Sequence, residues 1–116
     1  HTLIQLCKID IGQVQPMCRG QLSWKMTFTP DGSLVLGGQV PALIEWNTDK
    51  HPSNSLDKSG CRLVKLEGFH SRPILVQEVV KSLGLEKEIL INPVEIGAEE
   101  TLKAHIETPM GIVVLD

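Results

Sequence analysis

Aromatic residues are scarce in this 116-residue sequence, which has no tyrosine and an aromatic content of only 3%. We therefore expect a core built from aliphatic side chains. Long hydrophobic runs are also missing, and no stretch approaches the length of a membrane span. The first ten residues lack the basic start and the long apolar segment of a signal peptide.

Basic residues are not in excess, because the net charge is −3. Nucleic acid is not an expected partner, since phosphate neutralisation needs clustered Lys and Arg. The cysteines Cys7, Cys18 and Cys61 contain no CxxC pair, which argues against a zinc knuckle or a redox pair. Their odd number and the lack of a secretory signal indicate reduced thiols in a cytoplasmic protein. The chain does not begin with Met, so we expect an upstream segment or tag.

A chain of this length forms one domain, or one structural half of a larger one. In its first half, the alternating apolar residues of "LSWKMTF" predict a strand over 22–28, and "TPDGS" predicts a tight turn over 29–33. The other predictions for this half are a short helix over 2–10 ended by Gly12, a loop over 15–20, one or two strands within 34–46, and a polar loop over 47–60.

The second half shows a clearer pattern. "CRLVKLEGF" predicts a strand over 61–69, and Ser71 followed by Pro73 predicts the start of a helix. An apolar stripe continues this helix to Gly84, through Leu75, Val76, Val79, Val80 and Leu83. Further strands are predicted over 88–96, 100–107 and the C-terminal "IVVLD", which gives the order β-α-β-β-β.

A single helix covers only one face of a four-stranded sheet. We expect the apolar stripe to meet Val64, Leu66, Leu102, Ala104 and Ile106. By alternation, the opposite face is polar and carries Lys65, Glu67, Lys103, His105 and Glu107. That face must be solvated or must line a cavity.

The segments "PMCRGQLSWKMTF", "GGQVPALIEW", "HPSNSL", "GCRLVKLEGFH", "KSLGL" and "ETPMGIVVLD" follow one another in an order and spacing that resembles the C-terminal part of the glyoxalase-like domain family. This family belongs to the vicinal oxygen chelate superfamily and is known mostly from bacterial proteins. The resemblance implies an α+β fold with a curved, mixed β-sheet, in which two βαβββ modules form a pocket. It also implies that residues 1–60 are bridging strands from the end of a preceding module, and that 61–116 are one complete module.

The same resemblance bears on metal binding. In the metal enzymes of the superfamily, each module supplies a ligand from its first strand and one from its last, usually His, Glu or Gln. Those positions fall near Cys61 or Arg62 and near Val113 or Val114 here, which are poor ligands for a hard metal. We therefore expect a complete module without a metal or other cofactor.

The ligand-binding candidates are Arg19, Trp24, Trp46, His51, Lys65, Glu67, His105 and Glu107. His105 and Glu107 share a strand face, with Glu67 expected nearby, so they form either an acid–base or metal group or a solvated sheet face. Trp46 and His51, with Glu45, lie either at a pocket mouth or at a strand end. "GGQVP" is more typical of a strand bend than of an anion cradle, since it lacks the Lys and Ser/Thr of a phosphate loop.

Three functions remain open from the sequence. The first is metal-independent binding of a small organic molecule on the curved sheet. The second is a lyase or isomerase whose metal ligands lie mainly in an absent N-terminal module, and the third is a structural or assembly module. The sequence leaves open whether the chain is an enzyme and which molecule it binds. The open second sheet face also predicts a homodimer, with residues 22–46 in its interface.

Overall fold

The computed structural model describes residues 9–116, which contain seven β-strands and one α-helix. These residues divide into two compact units, 9–57 and 58–116, each with its own sheet. The α+β class predicted from the sequence is confirmed. No helix in the described part of the chain is long and apolar enough to cross a membrane. Cys7 and almost all of the helix predicted over 2–10 lie outside the described residues.

The first unit is a three-stranded antiparallel sheet. Its strands are β1 (Gln13–Arg19), β2 (Leu22–Phe28) and β3 (Ile44–Trp46), in the spatial order β1-β2-β3. A two-residue turn joins β1 to β2, and Gly20 occupies it with φ of 57°, a left-handed conformation that glycine adopts without steric cost. The strand predicted over 22–28 is confirmed. So is the turn after it, in which the Gly32 N–H donates to the Thr29 carbonyl at 3.1 Å.

One prediction for this unit is wrong, and another is met only in part. The loop predicted over 15–20 is strand β1, which contains Pro16. Proline has no N–H to donate, but β1 is an edge strand with one neighbour, so this loss is tolerated. Within 34–46 only Ile44–Trp46 is a strand, because Val35–Gly38 forms a 3₁₀ turn with positive φ at Leu36 and both glycines. The polar loop over 47–60 contains a short 3₁₀ turn at Pro52–Ser55.

The second unit has the predicted β-α-β-β-β order. It consists of β4 (Arg62–His70), α1 (Pro73–Ser82), β5 (Ile89–Pro93), β6 (Thr101–Thr108) and β7 (Gly111–Leu115). The spatial order is β5-β4-β6-β7, with β4 and β5 parallel and the other neighbours antiparallel. The sheet is therefore mixed and open at both edges. The strand predicted over 88–96 is shorter, because it ends at Pro93.

Helix α1 buries the centre of the predicted apolar stripe. Val76, Val79 and Val80 are at most 1% exposed. The helix ends at the predicted glycine: Gly84 has φ of 74°, its N–H donates to the Lys81 carbonyl, and the Leu85 N–H donates to the Val80 carbonyl. These two hydrogen bonds satisfy carbonyl groups that the end of a helix otherwise leaves without partners.

Two details of the helix differ from the prediction. Ser71 does not cap it, because the Ser71 N–H and hydroxyl both donate to Glu100, and Arg72 occupies the N-cap position without a side-chain hydrogen bond. The helix packs mainly against β5, where Ile89 and Ile91 are buried, whereas Leu102 of β6 is 38% exposed. A helix that connects two parallel, neighbouring strands lies over those two strands, here β4 and β5. The predicted contacts with Leu102, Ala104 and Ile106 of β6 do not take this rule into account.

Candidate functional site

Strand register places a set of polar side chains on one face of the second sheet. Lys65 pairs with His105, Glu67 with Lys103, and Arg62 with Glu107, and directly paired residues share a face. A register shift between Leu63 and Lys65 leaves Val64 unpaired, which keeps Arg62 and Lys65 on the same side. We call this the polar face, defined by Arg62, Lys65, Glu67, Asn92, Lys103, His105 and Glu107. The buried Gly68 and His70 alternate with its residues and point to the side of the sheet that α1 covers.

Glu67 is the centre of the polar face. Its Oε1 atom lies 2.5 Å from Nε2 of His105 and 3.6 Å from Nζ of Lys65. Its Oε2 atom accepts a hydrogen bond from Nδ2 of Asn92 at 3.2 Å. Three neighbouring strands, β4, β5 and β6, therefore converge on one carboxylate, and the predicted proximity of Glu67 and His105 is what the structure shows.

The surroundings of Glu67 favour its ionised form. Burial alone would raise the pKa of this carboxyl, but the hydrogen bond with His105, the charge of Lys65 and the Asn92 amide together hold the pKa below its ordinary value. An ionised carboxylate only accepts hydrogen bonds, so the proton in the contact with His105 belongs to Nε2 of the imidazole. The cluster remains reachable from solvent, since the three side chains are 19–37% exposed.

Glu107 does not join this cluster. It lies on the polar face, but its carboxylate accepts a hydrogen bond from Arg62 at 2.7 Å in an exposed ion pair. Lys103 lies beside Glu67 in the register and places its ammonium group 5.6 Å from the centre of the Phe69 ring, a cation–π contact. His105 and Glu107 therefore share a face, as predicted, but they contact different partners.

An open groove of about 460 Å³ runs between α1 and the edge strand β5. Gln77 and Lys81 line it from the helix, and Leu90 and Asn92 line it from the strand. Asn92 borders the groove as a residue of the edge strand, while its side chain donates to Glu67 on the polar face, opposite the side that α1 covers.

The other predicted residues lie in the first unit. The Trp24 and Trp46 rings pair across β2 and β3 with centroids 5.0 Å apart, and His51 lies edge-on to Trp46 at 6.0 Å. Nδ1 of His51 accepts a hydrogen bond from the Ser53 N–H, so part of this ring serves the local turn. Arg19 ends β1 on the surface, and its side chain makes no hydrogen bond or ion pair with residues 9–116. The predicted residues thus form two separate groups. Trp24, Trp46 and His51 lie together in the first unit, and Lys65, Glu67 and His105 lie together in the second.

The positions of the superfamily's metal ligands do not fit a metal. Cys61 is exposed ahead of β4, and Arg62 is paired with Glu107. Val113 and Val114 are exposed aliphatic side chains of β7. Across residues 9–116, no three His, Cys, Asp or Glu side chains come close enough to hold a metal ion together.

Three residues of the polar face are absent from the predicted site: Arg62, Asn92 and Lys103. The face on which Asn92 lies could be predicted from the sequence. Asn92 stands two residues after Leu90 in a short strand, and residues two apart in a strand share a face. Its contact with Glu67 depends on the parallel register of β4 and β5, which sequence alone does not give.

Comparison with known proteins agrees with this architecture. The glyoxalase-like domain family model matches residues 5–84, more than half of the chain, so the chain belongs to the glyoxalase-like domain family. That family is part of the vicinal oxygen chelate superfamily. The matched region ends at Gly84 and includes Lys65 and Glu67, whereas Asn92 and His105 lie beyond it. No curated protein and no solved structure gives a significant match.

Proposed function

We propose that this chain is a binding member of the glyoxalase-like family that holds a small organic molecule on its polar face, without a metal ion. The observation that carries the proposal is the Glu67–His105 pair, fixed by Lys65 and Asn92 from three neighbouring strands. Solvated sheet faces carry scattered charges, whereas ligand sites hold a few convergent polar groups. The contacts of Glu67 are of the second kind.

A groove at the edge strand β5 has the size of a small-molecule pocket. The groove between α1 and β5 has a volume of about 460 Å³, within the range of about 300–1,000 Å³ typical of ligand pockets. Asn92 borders this groove and its side chain contacts Glu67, so the groove and the cluster both include a residue of the edge strand β5.

Metal independence rests on the side chains that stand where the superfamily places its ligands. Cys61, Arg62, Val113 and Val114 offer no His or carboxylate to a divalent metal. We also propose that the protein works in a reducing compartment such as the cytoplasm, because Cys18 and Cys61 are free, exposed thiols.

Amide chemical-shift mapping tests the proposed function. The uniformly ¹⁵N-labelled chain is titrated with a library of fragment-sized organic acids, alcohols and amines. We expect at least one compound to shift the amides of Lys65, Glu67 and His105, and we expect Lys65→Ala to weaken that compound. A library whose shifts cluster around Trp24 and Trp46 instead would contradict the proposal.

A second candidate function, assembly, is favoured by an observation in the first unit. By the register of β1 to β3, one face of that sheet carries both tryptophans and several apolar side chains that are 37–44% exposed: Met17, Leu22, Phe28 and Ile44. An apolar surface of this kind is typical of interaction sites. It lies within and beside the segment 22–46 proposed for a dimer interface.

A further inference from the structure

The chemistry of the polar face also specifies a class of ligand. We propose that His105 presents its Nδ1 atom as a hydrogen-bond acceptor, and that the ligand is a small organic anion that carries a hydroxyl or N–H donor. This inference rests on the proposed function, since it assumes that the polar face binds a small molecule.

The acceptor follows from the contacts of the imidazole ring. Nε2 of His105 lies 2.5 Å from Oε1 of Glu67, and its N–H donates a hydrogen bond to that carboxylate. In a neutral imidazole with a proton on Nε2, Nδ1 carries a lone pair and accepts. Among residues 9–116 no group forms a hydrogen bond with this Nδ1. The ring is 19% exposed, so a ligand in contact with it can reach it.

Glu67 acts here as a positioning residue, because it fixes which nitrogen of His105 is protonated. Asn92 holds its second oxygen, Oε2, and Lys65 lies near the first. A carboxylate held from both sides cannot rotate away from the imidazole without losing a hydrogen bond. Partners of this kind fix the tautomer and the orientation of a histidine ring.

The preference for an anion follows from the charge of the polar face. The polar face carries three cations and two carboxylates, which gives it one net positive charge when His105 is neutral: Arg62, Lys65, Lys103, Glu67 and Glu107. The whole chain, by contrast, carries a net charge of −3. Arg62 and Glu107 neutralise each other in an ion pair. Lys65 and Lys103 then stand against Glu67 alone, which leaves one positive unit beside that carboxylate.

The borders of the cluster are apolar. Val114 pairs with His105 on the β7 side and is 47% exposed, and Leu90 pairs with Glu67 on the β5 side and is 40% exposed. A ligand that fits this arrangement has an apolar body, a negative charge for the lysines and a donor for Nδ1. Hydroxy acids with a hydrocarbon or aromatic body meet all three requirements.

Three matched probes separate these requirements. Mandelate has the anion, the hydroxyl and the aromatic body; phenylacetate lacks the hydroxyl; mandelamide lacks the charge. Affinity is measured by amide chemical-shift titration of the full chain. We expect mandelate to bind about threefold to tenfold more tightly than phenylacetate, the value of one net hydrogen bond. We expect mandelamide to bind about threefold more weakly than mandelate.

Variants assign each difference to a side chain. His105→Phe keeps a ring of similar shape but removes the acceptor, so mandelate and phenylacetate should then bind alike. Lys65→Ala should reduce the difference between mandelate and mandelamide. Lys50→Ala, at an exposed position in the other unit, is the matched control for Lys65→Ala and should change neither comparison. Folding of each variant is checked by the dispersion of its amide spectrum.

A ligand-free measurement tests the role of Glu67. Long-range ¹H–¹⁵N spectra of the imidazole should show His105 protonated on Nε2 and unprotonated on Nδ1, and Glu67→Gln should yield a mixture of tautomers. A proton on Nδ1 in the parent chain would overturn the inference. So would equal affinity for the three probes, no binding of any of them, or a mandelate preference that survives His105→Phe. If other library compounds still bind the polar face, the proposed function stands while this inference fails; if none does, both fail.

Discussion

The buried stripe of α1 makes a prediction that compares two aspartates in one helix. Val79 is 1% exposed, whereas Ile74, five residues earlier, is 70% exposed. Val79→Asp removes a buried apolar side chain, a loss of about 1.5–3 kcal/mol. It also puts a carboxyl group into the buried apolar stripe of α1, at a further cost of about 2 kcal/mol or more. The sum, about 4 kcal/mol or more, approaches the 5–15 kcal/mol that is typical of the entire stability of a domain.

Ile74→Asp introduces the same side chain at the second residue of α1, where it stays in water. A negative charge in the first turn interacts favourably with the helix dipole, so we expect a change within about 0.5 kcal/mol. Val79→Ala should fall between the two, at about 2–3 kcal/mol, from two lost methyl groups and the cavity left behind.

Urea unfolding followed by far-ultraviolet circular dichroism measures all three variants. With a slope of about 1–3 kcal/mol per molar urea, Val79→Ala should lower the midpoint by about 1–2 M. Val79→Asp should lose the cooperative transition of the helical unit. The reasoning is refuted if Val79→Asp unfolds at the midpoint of the parent chain, or if Ile74→Asp is the more damaging substitution.

Three further predictions concern pH, metal and assembly. The Ser71 N–H lowers the pKa of Glu100 against the opposing effect of burial, with help from the Ser71 hydroxyl, His70 and Arg72. A lowered pKa stabilises the fold at pH values above the ordinary Glu pKa of about 4.3, and this contribution is lost as the pH falls through the folded pKa. The urea midpoint of Glu100→Gln should therefore fall less steeply below about pH 5 than the midpoints of the parent chain and of the control Glu99→Gln. The untagged chain should retain no stoichiometric zinc, nickel or manganese in elemental analysis after dialysis; one tightly held metal per chain would direct attention to Glu67, His105 and Glu107. Light scattering coupled to size exclusion at micromolar concentration should give the mass of a homodimer, whose interface needs at least about 1,000 Å²; a monomer mass with an intact thermal transition would contradict this.

The second unit could be predicted from the sequence because its signals are local. The valines of α1 recur at helical spacing, Gly84 ends the helix, and β6 alternates polar and apolar residues. The first unit was harder to predict. Pro16 made β1 look like a loop, and only its position at the sheet edge explains why a strand tolerates it.

The candidate site could be predicted as a face but not as a set of contacts. Alternation places Lys65, Glu67 and His105 together, since each depends only on its position within a strand. Which of these residues contact one another depends on the register between strands that are far apart in the sequence. The irregularity at Val64 brings Arg62 opposite Glu107, and the parallel pairing of β4 with β5 brings Asn92 to Glu67. Neither feature has a local sequence signal.

The most direct test of the proposed binding site is an electron-density map of the chain crystallised with the library compound that shifts its amides most. We predict density for that compound over the polar face, in contact with Lys65 and His105. Density for the compound over Trp24 and Trp46, or a second copy of the chain packed across the polar face, would contradict it.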